Sequence, residues 1–204
     1  MIVQTKATQD EMSMTQALEL LKEGNHRFVN NQKIDRDLAL QVNETSAGQY
    51  PFAAVLGCID SRVPVEMVFD QGIGDIFVAR VAGNVVNEDI LGSLEYACKV
   101  AGSKVIVVLG HSKCGAVTSA CQSVELGNIT ALLEKIKPSV NAVLTAEKEA
   151  DEATIELVTK ENIKHSIKEI KKKSLLLNEM VTQGVIQVVG AYYDVATGKV
   201  TFLE

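Results

Sequence analysis

Two short stretches hold the residues best able to do chemistry. In CIDSR, residues 58–62, an apolar run ending Val55-Leu56-Gly57 stops at Cys58, and Asp60 and Arg62 follow at alternate positions. In HSKC, residues 111–114, a second apolar run gives way to His111, with Cys114 three residues on. Two thiols and an imidazole make a ligand set that suits zinc. Three protein ligands are one short of a tetrahedron. A catalytic site keeps the fourth position for water or substrate, whereas a structural site fills it with a side chain. Asp60 is the nearby candidate for that position. It either closes the ion or pairs with Arg62 and leaves the ion open. In the open arrangement Arg62 keeps the carboxylate ionised and oriented through a bidentate contact. The carboxylate then accepts a hydrogen bond from water or hydroxide on the metal, which gives the C-x-D-x-R spacing a purpose.

Residues 53 positions apart meet only if the fold brings them together. The segment FAAVLG, residues 52–57, reads as a short buried strand, and KVIVVL, residues 104–109, as the cleanest one, because its β-formers run on without alternation. DIFVARV (75–81), VIQVVGAYY (185–193) and VTFL (200–203) give three more. Helical spacing fills the gaps: residues 13–31 as an N-capped amphipathic arm interrupted near Gly24, a short helix opened by Pro64, then 88–101, a start at 114–123, and 129–183 broken at Pro138. Residues 32–50 read as a polar loop. Strands separated by helices imply crossover connections. The expected fold is α/β, with four parallel strands, an antiparallel edge strand after the ATGK turn, and flanking helices. In such sheets ligands gather beyond the carboxyl ends of the strands. Cys58 and the His111–Cys114 turn both lie there, on one edge of the sheet.

Composition narrows the field. The chain has 204 residues, 47% of them hydrophobic, and a net charge of −6 with no tryptophan. A core is well supplied, and a general nucleic-acid binder is disfavoured. No apolar run reaches the length of a membrane span, and the N-terminus has no signal-like apolar centre, so the expected location is the cytoplasm. The four cysteines, at 58, 98, 114 and 121, then point to metal binding, catalysis or burial and not to disulfides. No linker or repeat divides the chain, and residues 1–204 are expected to form one domain with its core over about 50–204.

CIDSR with HSKC resembles the β-class carbonic anhydrases. The likeness runs on through residues 61–86, GSLEYACKV and VLGHSKCGAV, and reaches ALELLKEGNHRFV and VVGAYYDVATGKV, so it covers most of the chain. The resemblance implies a zinc enzyme, with one Zn2+ per subunit, that interconverts carbon dioxide and bicarbonate by attack of a zinc-held hydroxide on CO2. Carried over by position, Cys58, His111 and Cys114 bind the metal, and Asp60 and Arg62 form the catalytic dyad. Gln49 matches a substrate-orienting glutamine of the plant-like members. Phe77, Ala82 and Tyr96 fall where that group lines its apolar pocket, and Gly115 follows the last ligand. Ala82 departs from the larger aliphatic residue expected there. In the family the pocket forms at a dimer interface, so Gln49, Phe77 and Tyr96 are expected to serve a neighbouring subunit's zinc. A homodimer is the implied minimum unit, and a homotetramer is allowed. Some bacterial members carry an inhibitory bicarbonate site built on a tryptophan three residues before the first cysteine ligand. Val55 stands there, which favours the group without it.

Two other functions stay open on sequence alone: a zinc hydrolase of this fold acting on carbon disulfide or carbonyl sulfide, and a non-enzymatic zinc protein closed by Asp60. The remaining candidates have plainer readings. Cys98 and Cys121 are expected to be packing residues, His26 and His165 structural or solvated, and Lys171-Lys172-Lys173 a solvated face. Arg80 is expected to pair with Asp70 or Asp75. The charged stretch from about 139 to 173 carries no functional reading.

Overall fold

The structure is a computed structural model of the chain and describes residues 3–144 and 150–203. A five-stranded sheet runs through the middle: β1 (Ala53–Gly57), β2 (Ile76–Arg80), β3 (Val105–His111), β4 (Gln187–Tyr193) and β5 (Val200–Leu203). Their order is β2-β1-β3-β4-β5. The first four strands pair parallel and β5 pairs antiparallel with β4. β1 and β3 lie in the centre with every residue buried, which is why they read as unbroken apolar runs. β2, at one edge, is only half covered.

One face of the sheet packs on α2 (Met14–Val29) and α4 (Val65–Val68) through Ala17, Leu21, Val55, Val68, Phe69 and Val107. The other packs on α5 (Glu88–Glu95), α9 (Glu152–Lys173) and α10 (Leu175–Thr182) through Leu56, Leu94, Ile106, Ile163, Ile170 and Leu177. A third cluster lies at the carboxyl end of the sheet. There α6 (Gly115–Cys121), α7 (Gly127–Leu133) and α8 (Lys137–Val143) close over Cys58 and Cys114.

Several elements differ from the sequence expectation. α1 (Lys6–Glu11) was not anticipated; it is set by a capping box in which Thr5 and Thr8 satisfy one another's backbone N–H groups. The polar stretch 32–50 contains α3 (Leu38–Thr45), capped by Asp37, which accepts from Leu40 N. α2 runs through Gly24 without a break. A Cβ on Gly24 would stand 1.8 Å from the Phe69 carbonyl oxygen, so the glycine lets the helix approach the segment after α4. The helix after β2 ends at Glu95 and continues as a π turn over Tyr96–Val100. Pro138 starts α8 at its first turn, where a missing N–H costs nothing. Residues 145–149 of the expected helical stretch lie outside the described residues.

Candidate metal centre and its surroundings

Parallel strands bring the two chemical stretches together. Cys58 leaves the end of β1, and His111 is the last residue of the adjacent β3, whose Leu109 pairs with Gly57. Cys114 then precedes α6, after a tight turn with Lys113 at φ 55°. The ligand atoms of Cys58, His111 and Cys114 lie within 4.8 Å of one another, and all three residues are buried.

The imidazole shows how well the site fits a metal. His111 Nδ1 stands 2.8 Å from the Ser112 carbonyl oxygen, an acceptor only, so Nδ1 carries the proton. Nε2 is therefore a bare lone pair. It is buried with no hydrogen-bond partner and faces the two sulfurs. A buried lone pair of that kind is costly unless something binds it. The thiols point the same way. The hydrogen bond with Cys114 draws Cys58 down against the effect of burial, helped by the Gly83 N–H. Cys114 is pushed up by that same bond and by burial. A dication between two adjacent sulfurs is what lets both ionise. A bare imidazole nitrogen and two adjacent thiols in one buried corner form a donor set that fits zinc.

Asp60 and Arg62 stand beside this corner. Arg62 Nε donates to Asp60 Oδ1 at 2.9 Å and Nη2 to Oδ2 at 2.8 Å, while the Arg62 backbone N–H also reaches Oδ1 at 2.9 Å. Arg62 bonds hold the Asp60 carboxyl down to about 2, so it is ionised throughout the neutral range. Asp60 Oδ2 lies 4.0 Å from His111 Nε2. Of the two arrangements left open by the sequence, the structure has the carboxylate on Arg62.

The loop carrying Asp60 and Arg62 is fixed from β2. Arg80 Nε donates to the Cys58 carbonyl at 2.9 Å, and Nη2 to the Asp60 carbonyl at 2.7 Å. Arg80 therefore does not pair with Asp70 or Asp75 as expected. Asp70 is taken by Arg27 and Arg36, each at 2.6 Å. Gly83 lies in the one-turn 3-10 segment Ala82–Asn84 and donates its N–H to Cys58 Sγ at 3.3 Å. That segment is held by α9: Asn162 Nδ2 donates to the Gly83 carbonyl at 2.8 Å and Ser166 Oγ to the Asn84 carbonyl at 3.1 Å.

Arg80, Gly83, Asn162 and Ser166 were missed as contributors to the site. The available signal was Thr159, Asn162 and Ser166, polar residues at helical spacing on a face that turns out to be buried.

The other expected site residues divide by position. Ala82 begins the segment that bonds Cys58, and Gly115 follows Cys114, so both lie at the metal corner. Phe77 pairs with Ala54 near the start of β1 and meets Tyr96 edge to face, with ring centroids 6.1 Å apart. The two rings line a groove of about 690 Å3 along the free edge of β2. Gln49 is exposed and precedes β1. These three stand at the amino half of the strands, whereas the ligands stand at the carboxyl end. Phe77 is level with Ala54, four residues before Cys58, which separates the two levels by roughly 13 Å. Cys98 is buried and pushed up to about 12 by burial, Cys121 is half-buried, and His26 is exposed.

Comparison with known proteins decides the family. The carbonic anhydrase family model matches residues 53–200. The chain belongs to the β-class carbonic anhydrases. Among curated relatives, carbonic anhydrase 2 of Mycobacterium tuberculosis is 34% identical over 90% of this chain and 89% of its own. The carbonic anhydrase of Mycolicibacterium smegmatis is 33% identical over 90% of each. The solved β-carbonic anhydrase CafA of Aspergillus fumigatus superposes with a TM-score of 0.73 at 26% identity, over 93% of this chain and 90% of that one. The β-carbonic anhydrase CcaA gives 0.74 at 26% identity, over 94% and 95%. Among the described residues, no helix of this carbonic anhydrase is long and apolar enough to cross a membrane.

Proposed function

We propose that this carbonic anhydrase holds one zinc ion through Cys58, His111 and Cys114 and hydrates carbon dioxide reversibly to bicarbonate and a proton. The observation that carries the reading is the bare, buried Nε2 of His111 facing two thiols, with an ionised Asp60 4.0 Å away and turned onto Arg62. Bound there, zinc supplies the Lewis acidity that brings deprotonation of water close to neutral pH.

The rest is done by the chain. Asp60 stands at the mouth of the corner and accepts a hydrogen bond from the attacking water, which fixes its orientation towards the carbon of CO2. Arg62 keeps that acceptor charged and still. Arg80 holds the backbone of Cys58 and Asp60, so ligand and acceptor keep one spacing. Ala82 and Gly115 are small and leave room beside the metal. Gln49, Phe77 and Tyr96 lie too far from their own ligands to serve them. They complete the apolar, substrate-orienting wall of a second copy's site, which makes a homodimer the smallest working unit and leaves a homotetramer open.

Asp60→Ala tests the assignment. The expected result is CO2 hydration lowered by about 10²-fold, the usual cost of losing the contact that orients a reacting group, with zinc content unchanged. Loss of zinc in proportion to activity would make Asp60 a ligand and refute its role here.

A further inference from the structure

We infer that Ser112 is a positioning residue for the His111 ligand, and that its hydroxyl does this by locking the ligand turn onto the β4–β5 hairpin. The inference rests on the reading of His111 as a metal ligand.

Ser112 bonds in three directions. Its carbonyl accepts from His111 Nδ1 at 2.8 Å and so sets both the tautomer and the plane of the ring. Its own N–H donates to the Tyr193 carbonyl at 2.9 Å, which carries the β3–β4 pairing one residue past the strand. Its hydroxyl accepts from Val195 N at 2.9 Å, and Asp194 Oδ1, 3.5 Å away, lies on its donating side. Two of these bonds, through the N–H and the hydroxyl, hold Ser112 itself in place, and its carbonyl fixes the ring.

The hairpin is firm enough to act as a backstop. Asp194 closes it by accepting from Ala196 N at 2.8 Å and from Thr197 Oγ1 at 3.0 Å. Asn25 of α2 clamps the far side, donating to the Gly198 carbonyl at 2.9 Å and accepting from Val200 N at 2.8 Å. A line of hydrogen bonds thus runs from α2 through the hairpin to the ring that presents Nε2. An alanine at 112 keeps the carbonyl but strands the Val195 N–H and frees the turn to rotate, so Nδ1 loses its fixed acceptor.

Outer partners of ligating histidines typically weigh about 10–100-fold in metal affinity. The test is zinc affinity by chelator competition on the full chain, with the visible spectrum of the cobalt-substituted protein and the thermal midpoint of the zinc-loaded form measured alongside. Ser112→Ala should bind zinc about tenfold more weakly and shift the cobalt bands, and Ser112→Thr, which keeps the hydroxyl, should recover most of the loss. Unchanged affinity and bands in Ser112→Ala would overturn the inference, as would a fall in thermal midpoint alone. One measurement needs no variant: ring 15N NMR of the zinc-loaded parent should show the proton on Nδ1. A proton on Nε2 would overturn it. A parent chain that binds no zinc would remove the ligand reading as well, whereas a tight-binding parent with an equally tight Ser112→Ala removes only this inference.

Discussion

Gly83→Ala is the substitution whose effect follows most directly from the geometry. Gly83 has φ 67°, and a Cβ there would meet Ile136 Cδ1 at 2.6 Å and Ala116 Cβ at 3.3 Å. The left-handed backbone costs a residue with a Cβ roughly 1–2 kcal/mol. Ile136 is fully buried, so its methyl has no free space to move into, and an overpacked methyl in such a place costs about 1–3 kcal/mol. The two together come to about 3 kcal/mol. With a urea m-value near 2–3 kcal/mol/M for a chain of this size, the unfolding midpoint should fall by about 1 M or more. Unfolding is followed by circular dichroism in excess chelator, so that metal binding does not enter the balance. The companion variant is Ile136→Val, which removes the methyl that Gly83→Ala strikes. The double variant should recover the packing share and keep the backbone share, giving a favourable coupling of about 1 kcal/mol or more. Strict additivity, or a Gly83→Ala midpoint equal to the parent's, would refute the account. Because the Gly83 N–H is bonded to Cys58 Sγ, zinc affinity should weaken in the single variant too.

Two buried aspartates should behave in opposite ways. Burial raises the Asp75 carboxyl, against the Gly72 N–H and the charge of Arg36. A raised carboxyl contributes most below its ordinary value of 3.8 and loses that contribution as pH rises through its folded value. Asp75→Asn keeps an oxygen for Gly72 N and should therefore raise the unfolding midpoint at pH 7, with the gain shrinking to nothing near pH 4; a loss at pH 7, or a gain that ignores pH, would contradict this. For Asp70, burial pushes upward, but the Arg27 and Arg36 bonds outweigh it and the carboxyl ends below its ordinary value. Asp70→Ala leaves Arg36, 8% exposed, without its anion and should cost about 3–5 kcal/mol in urea unfolding. Adding Arg36→Met to Asp70→Ala should restore part of that, and a double variant no better than the single would argue against a stranded charge.

The legible parts of this chain were those where one physical demand dominates. β1 and β3 are buried on both faces, so their apolar runs announce them, and the parallel arrangement then places Cys58 beside His111. What stayed hidden depends on contacts between distant residues. Gly24 looks like a helix breaker until the Phe69 carbonyl is seen against it. Arg80 looks like half of an ion pair, yet its partners are two backbone carbonyls that no side-chain pattern can advertise. α3 escaped because Leu38, Leu40 and Val42 are exposed and only Gln41 is buried, so no apolar periodicity marks it. The charged stretch of α9 seemed functionless because Asn162 and Ser166 act on the metal corner only through the backbone of Gly83 and Asn84.

The distance in sequence between Cys58 and His111 has a kinetic meaning as well. An ion shared by the two closes a loop of 53 residues, and a cross-link of that span removes about 4 kcal/mol of chain entropy from the unfolded state. The clasp cannot form until β1 has found β3, a non-local pairing of the kind that slows folding. Metal capture therefore keeps time with assembly of the sheet centre. If that pairing is already made at the folding barrier, zinc present during refolding should speed folding; if it is made afterwards, the ion should act only by slowing unfolding.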